Sequence, residues 1–205
     1  MTDNSRLAVI IVNWNVADLL RDCLQSVCTS SGLKPDELDI IVVDNGSTDN
    51  SVAMVKKEFP EVELMETGAN LGFAGGCQYG YARSSAPIVC LLNPDTVVED
   101  GMLARLRDGM LENPQIGIIG AKLMNTDGSF QRATGGAFPS LRSVIWNYLF
   151  LHKLLPEAWS PPAIFLDKEP QSQVTVDWVS GASLTFRREI IGPHIFDPEI
   201  FMFGE

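Results

Sequence analysis

The sequence predicts an α/β fold: a mostly parallel central sheet with helices on both faces. Short runs rich in β-branched residues alternate with segments of helical period from Leu7 to Leu123, a pattern that calls for parallel strands joined by right-handed crossovers. The first, second and fourth runs also end in Asn or Asp, which places polar side chains on one sheet rim, the place where open α/β sheets bind ligands.

The elements follow in order. Leu7 to Val12 is the first strand and runs into Asn13-Trp14-Asn15; Asp18 to Val27 then carries Leu19, Leu20, Cys23, Leu24 and Val27 at helical spacing. Asp39 to Val43 is the second strand, closed by Asp44-Asn45-Gly46-Ser47-Thr48-Asp49. Ser47 or Thr48 is expected to cap the helix that follows, which Pro60 stops. Val62 to Met65 is a third strand, and the glycine-dense stretch Gly68 to Gly76 leads into a helix through Arg83. The fourth strand, Ile88 to Leu92, ends abruptly in Asn93-Pro94-Asp95. Glu99 to Leu111 is helical up to Asn113-Pro114, Ile116 to Leu123 is a fifth strand, and Asn125 to Gly128 is a turn.

Beyond Gly128 the alternation breaks down. Gln131 to Gln173 is rich in Pro and aromatics, and long irregular segments of this kind usually serve a function or move. Within it, Leu141 to Leu155 is expected to be one helix, apolar around most of its circumference. Such a helix packs inside the fold, buries itself in a homodimer, or lies at a membrane surface with Arg142, His152 and Lys153 as its cations. Val174 to Phe186 reads as two strands with a Ser180-Gly181-Ala182 break, where Gly181 marks close backbone approach to a neighbour or a ligand.

The totals bound the partners. The 205 residues are 45% hydrophobic and 20% charged, as in one globular domain. A formal net charge of -11 opposes a nucleic-acid surface, since phosphate-backbone binding needs the opposite field. Cys23, Cys28, Cys77 and Cys90 form no Cys-x-x-Cys pair and read as reduced thiols. His152 and His194 have no partner at metal-ligand spacing. With no visible signal peptide and no apolar run of about 20 residues, the expected location is cytoplasmic.

Two carboxylates stand where chemistry is expected. Asp44 can accept hydrogen bonds from a nucleobase N–H or ribose hydroxyls, or it can form an Asx turn. Asp95 can hold Mg²⁺ or Mn²⁺ together with substrate phosphates, or it is a turn residue after Pro94. The glycine-dense segment Asn70 to Gly76 brings backbone N–H groups within reach of a ligand. It lacks the Lys and Ser/Thr of a phosphate loop and is not GxGxxG after the first strand.

Five ordered motifs carry a resemblance: Val12-Asn-Trp-Asn15, Val42-Val-Asp44-Asn-Gly-Ser-Thr-Asp49, Asn70-Leu-Gly-Phe-Ala-Gly-Gly76, Leu91-Leu-Asn-Pro-Asp95 and Asp177-Trp-Val-Ser-Gly-Ala182. Together they resemble the inverting family-two glycosyltransferases, especially their rhamnosyltransferase-like branch. The resemblance implies a single GT-A domain over 1–205, with a nucleotide-binding half at 1–128 and an acceptor-side half at 129–205. It also implies a nucleotide-diphospho-sugar donor carrying uridine or thymidine, a glycan or lipid-linked acceptor, and Mg²⁺ or Mn²⁺.

Carried over residue by residue, Asn13 and Asn15 would sit beside the base, with Asp44 at its uracil or thymine end and Asn70 and Gly72 flanking the nucleotide. Asn93 and Asp95 would take the outer positions of a DxD-type motif; because Asn93 is uncharged, metal affinity rests on Asp95. Trp178, Ser180 and Gly181 would line the sugar or acceptor side, and Cys77-Gln78 stands where relatives commonly show Asn. The resemblance implies a catalytic Glu-Asp pair after an aromatic run like Phe201-Met-Phe203; Glu205 is its first member, and the chain stops before the second. The expectation is therefore donor binding with little or no transfer. The alternatives are a non-catalytic nucleotide-binding scaffold and a nucleotidyltransferase; the latter usually needs a basic Gly-rich loop after the first strand, where this chain has Asn13-Trp14-Asn15.

Overall fold

A computed structural model describes residues 5–154, 156 and 159–197. They form two compact units, one running to Ile119 and resuming at Gly181, the other comprising Gly120–Ser180.

The first unit is built on a six-stranded sheet of order β3-β2-β1-β4-β8-β5. Its centre is β1 (Leu7–Asn13), buried at all seven residues, flanked by β2 (Leu38–Asp44) and β4 (Ile88–Leu92), both parallel to it. An unbroken apolar run is what a strand covered on both faces requires, and each fully buried Leu, Ile or Val contributes about 1.5–3 kcal/mol before ordering entropy is counted. On one face, Ile10, Val12, Ile41, Val43, Leu91 and Phe186 cluster with Cys77 and Tyr81 of α3 (Gly72–Tyr81). The remaining helices of the unit are α1 (Ala17–Ser30), α2 (Ser51–Glu58) and α4 (Met102–Glu112). Cys23 and Leu24 of α1 and Leu103 and Met110 of α4 are fully buried.

The structure departs from the sequence reading at several points. β3 (Glu63–Glu66) is a sheet edge with both glutamates exposed. The sheet is mostly parallel, as expected, from β3 through β4, and β8 (Ser183–Arg187) then pairs antiparallel to β4, Leu92 opposite Ser183. β5 shrinks to Ile118–Gly120. Neither Ser47 nor Thr48 caps α2; the Asp49 carboxylate accepts from the Ser51 amide instead. α4 starts at Met102, after Gly101 at φ +70°.

Of the glycine-rich stretch, Gly68 precedes α3, while Gly72, Gly75 and Gly76 lie inside it. A Cβ on Gly76 would come within 2.6 Å of Val12, and one on Gly80 within 2.8 Å of Ile10. These glycines bring α3 against β1 in place of exposing amides to a ligand.

In the second unit, β6 (Gly135–Gly136) pairs antiparallel with β7 (Trp178–Val179). α5 covers only Leu141–Tyr148; a 3₁₀ turn at Leu151–Lys153 follows Phe150, whose φ of +53° breaks the helix. α6 (Arg188–Ile191) closes the first unit after β8.

All four cysteines are free, and Cys28 is exposed. Burial pushes the Cys23 thiol up to about 12 and the Cys90 thiol up to about 11, so neither is a nucleophile at neutral pH. No helix among the described residues is long and apolar enough to cross a membrane.

Candidate functional site

Strands that run in the same direction deliver their last residues to one rim. The β1–β2 register sets Asn13 opposite Asp44, and the β1–β4 register sets Ile11 opposite Leu92, so the Asn93-Pro94-Asp95 segment leaves the sheet next to Asn13. An open cleft of about 240 Å³ lies there, bordered by Trp14, Asn45, Asn70, Gly72, Asn93 and Asp95.

The β1–β2 corner is tightly hydrogen-bonded. Asn13 is fully buried, and its Nδ2 donates to Asp44 Oδ1 and to Ser47 Oγ, both at 3.0 Å. The carboxylate is acceptor-only when ionised, which fixes the sense of the Asn13 amide and leaves Asn13 Oδ1 buried without a hydrogen-bond partner among the described residues. A buried acceptor left unmet costs about 1–3 kcal/mol. Asp44 Oδ2 accepts from the Ser47 amide at 3.0 Å, a local bond that reaches three residues on, one beyond an Asx turn. Each carboxylate oxygen keeps a free lone pair.

Asn15 stands at φ +58°, and its Oδ1 accepts from the amides of Thr48 and Asp49 at 2.7 and 3.3 Å. It organises the loop before α2. Asp49 receives the Ala17 and Ser51 amides and the Ser51 hydroxyl. What burial it has works against the charge, but these hydrogen bonds hold its carboxyl below the ordinary value.

Two residues that the sequence reading passed over complete this corner. Asn45, also buried, donates from Nδ2 to Asn70 Oδ1 and to the Gly72 carbonyl, both at 3.0 Å, and accepts the Leu71 amide at 3.0 Å. It therefore locks the end of β2 to the start of α3. Asn70 Oδ1 also accepts the Gly72 amide at 2.8 Å, and Gly72 sits at φ +74°, where a side chain would be strained. The second is Trp14, whose indole is 51% exposed at the cleft and presents an unpaired aromatic surface. An aromatic in a loop between two strand-end asparagines was the available signal for it.

The β4 exit is different. Its backbone is held, with the Asn93 amide donating to Ala182 O at 3.0 Å and its carbonyl accepting the Thr96 hydroxyl at 2.7 Å. The side chains of Asn93 and Asp95 make no hydrogen bond among the described residues, and Asp95 is exposed. No group of three His, Cys, Asp or Glu side chains able to hold a metal ion occurs among the described residues. One carboxylate at the cleft suits a hard cation that takes most of its ligands from phosphate and water, and does not suit an all-protein cage.

Trp178 and Ser180 belong to the second unit, and Gly181 to the first. The Trp178 indole donates to Ala137 O and Ile164 O at 3.3 and 3.1 Å and stands edge-on to Phe165, so it ties the second unit together. In the same unit the Ser180 amide donates to Thr134 O at 3.0 Å. No neighbour among the described residues crowds Gly181, where an added Cβ would meet the Phe73 ring at 3.8 Å, ordinary contact. Glu205 lies outside the described residues.

Comparison with known proteins gives concordant findings. The family described as Glycosyl transferase family 2 matches residues 8–177. The chain is 29% identical over 218 residues to the N-acetylglucosaminyl-diphospho-decaprenol L-rhamnosyltransferase of Mycobacterium tuberculosis, covering 97% of this chain and 67% of that protein. It is 30% identical over 144 residues to the uncharacterized glycosyltransferase YibD of Escherichia coli, covering 69% of this chain and 39% of the relative. Among solved structures, the mannosyltransferase PcManGT of Pyrobaculum calidifontis, in complex with GDP-Man and Mn²⁺, superposes with a TM-score of 0.58 at 19% identity, covering 91% of this chain and 45% of that one. Residues 1–349 of TarS from S. aureus, in complex with UDP, superpose with a TM-score of 0.55 at 17% identity, covering 64% and 40%. At these identities the superpositions establish the GT-A fold.

Proposed function

The chain belongs to glycosyl transferase family 2, and from that premise we propose that it acts in the transfer of a sugar from a uridine or thymidine diphosphate carrier to a hydroxyl of a glycan or lipid-linked acceptor, with inversion. The observation that carries the reading is the convergence of Asn13, Asp44 and the Asn93–Asp95 exit on one rim, where the exit and the exposed Trp14 border a cleft. Supporting the donor class, the TarS structure holds UDP. Supporting the acceptor class, the mycobacterial relative is named for a decaprenol-linked substrate. The chain spans about two thirds of that relative, so the activity of the whole protein is part of the proposal.

In this reading Trp14 stacks on the base, and Asp44, held in place by Asn13 and Ser47, accepts from the base N–H with its remaining lone pairs. Asn45 keeps the Asn70–Gly72 segment beside the nucleotide. Asp95 would hold Mg²⁺ or Mn²⁺, which neutralises charge on the departing diphosphate. The acceptor hydroxyl oxygen forms the new bond to the anomeric carbon as the bond to the diphosphate oxygen breaks. Its proton passes to a carboxylate base, proposed to be Glu205, and such a base contributes on the order of a hundred- to ten-thousand-fold in rate.

Isothermal titration of the chain with UDP and with dTDP, each in the presence of Mn²⁺, tests the donor site. Saturable binding to one of them is expected; no heat with either, in protein whose circular dichroism shows it folded, overturns the reading.

A further inference from the structure

The second unit carries a surface that the donor cleft does not use. Ser143 and Trp146 bury one side of α5. Leu141, Val144, Ile145 and Tyr148 recur at helical spacing on its other side, between 44% and 80% exposed. Leu149, Phe150 and Leu154 follow the helix, each more than half exposed. Trp159 stands over the same side, across an open apolar hollow of about 580 Å³. Soluble surfaces rarely leave so many large apolar side chains together without a partner.

Charge says which partner fits. The chain carries 26 Asp and Glu and a net charge of -11, yet no acidic residue occurs between Asp127 and Glu157, while Arg132, Arg142, His152 and Lys153 do. Two of these cations are placed on the apolar face itself: the Arg142 guanidinium donates to Trp159 O at 2.7 Å, and Lys153 Nζ lies 5.1 Å from the centre of the Phe150 ring. Aromatic and aliphatic side chains interleaved with cations, with no carboxylate from α5 through Leu154, match the boundary between acyl chains and anionic headgroups. A self-associating apolar face needs no such clearance of acids.

We propose that α5, the turn through Leu154 and Trp159 form a docking face for an anionic lipid bilayer. This goes beyond the donor-site reading and does not depend on it. Leu141, Tyr148 and Leu154 enter the interface, and Arg142 and Lys153 meet lipid phosphates.

The test is co-sedimentation of the whole chain with vesicles of phosphatidylglycerol and phosphatidylcholine in equal parts, and with vesicles of phosphatidylcholine alone, in nucleotide-free buffer. Binding is expected to the first and at least tenfold less to the second. Y148E/L154E is expected to abolish it, and Lys153→Gln to weaken it about fivefold, the effect of one cation near an anionic surface. Thermal melting matched to the parent chain confirms that each variant is folded; if Y148E/L154E misfolds, Lys153→Gln alone carries the test. Failure to sediment with anionic vesicles, equal binding to both vesicle types, or unchanged binding by Lys153→Gln overturns the proposal. So does a dimer, seen by light scattering, that Y148E/L154E dissociates while vesicles leave the parent chain in solution. Because nucleotide is absent, a negative result here leaves the titration with UDP and dTDP unaffected.

Discussion

The β1–β2 corner and the β4 exit occupy the same sheet rim and are built in opposite ways. At the corner, Asn13, Asp44 and Asn45 are buried and held by hydrogen bonds, Asn13 to Asp44 and Ser47 and Asn45 to the Asn70–Gly72 segment, with Asn13 Oδ1 alone left buried and unmet among their side-chain atoms. At the exit, the backbone is pinned to Ala182 and Thr96 while the side chains of Asn93 and Asp95 face the cleft. Buried polar groups tied into the loops around them shape a site; uncommitted ones at its edge are available to react or to bind. The two regions should therefore answer mutation differently, one in stability and the other in ligand affinity.

Asp95→Ala is the strongest way to break the contrast. We expect donor binding in the presence of Mn²⁺ to fall on the order of a hundredfold or more, as when one electrostatic partner of a diphosphate is removed, with the melting temperature unchanged. A matching loss of stability would mean that the exit is structural after all. Asn45→Ala should do the reverse, lowering unfolding free energy by about 2–3 kcal/mol because several buried groups lose partners at once. Chemical denaturation measures it, and a loss below about 0.5 kcal/mol, the usual range for surface substitutions, would sink the claim that the corner is a lock. Trp14→Ala sharpens the comparison at the smallest scale. Base stacking is worth about 1–3 kcal/mol, so nucleotide affinity should drop about tenfold while stability barely moves, since half of the indole is already in water. Titration with UDP in parallel on parent and variant reads it.

Legibility followed burial. β1, β2 and β4 stand where continuous apolar runs placed them, because a strand covered on both faces leaves no polar break in its sequence. β5 did not reach its expected length, because its residues are exposed or half-buried and apolar content alone does not fix a strand. α5 stops at Tyr148, ahead of a left-handed Phe150 that no periodicity announces. Within the site, Asp44 and Asp95 could be located from strand ends, whereas the partners of Asp44 could not. Asn45 was invisible as a lock because its role depends on Asn70 and Gly72, brought to it by the fold. Gly76 was visible as a glycine, but the need for it arises from Val12 on a neighbouring strand. Trp178 shows the same limit in the other unit, where its indole N–H answers two carbonyls that sequence could not bring together.

The antiparallel β8 carries a consequence for how the chain comes to be folded. It covers one flank of β4, yet the whole of the second unit separates the two strands in sequence. As the chain is synthesised at about 5–20 residues per second, β4 waits on the order of ten seconds with one row of amides and carbonyls unpaired. The most apolar strand beside the cleft is thus an open edge on the ribosome, and β8, the last of the described strands, is the one that protects it from pairing with another nascent chain.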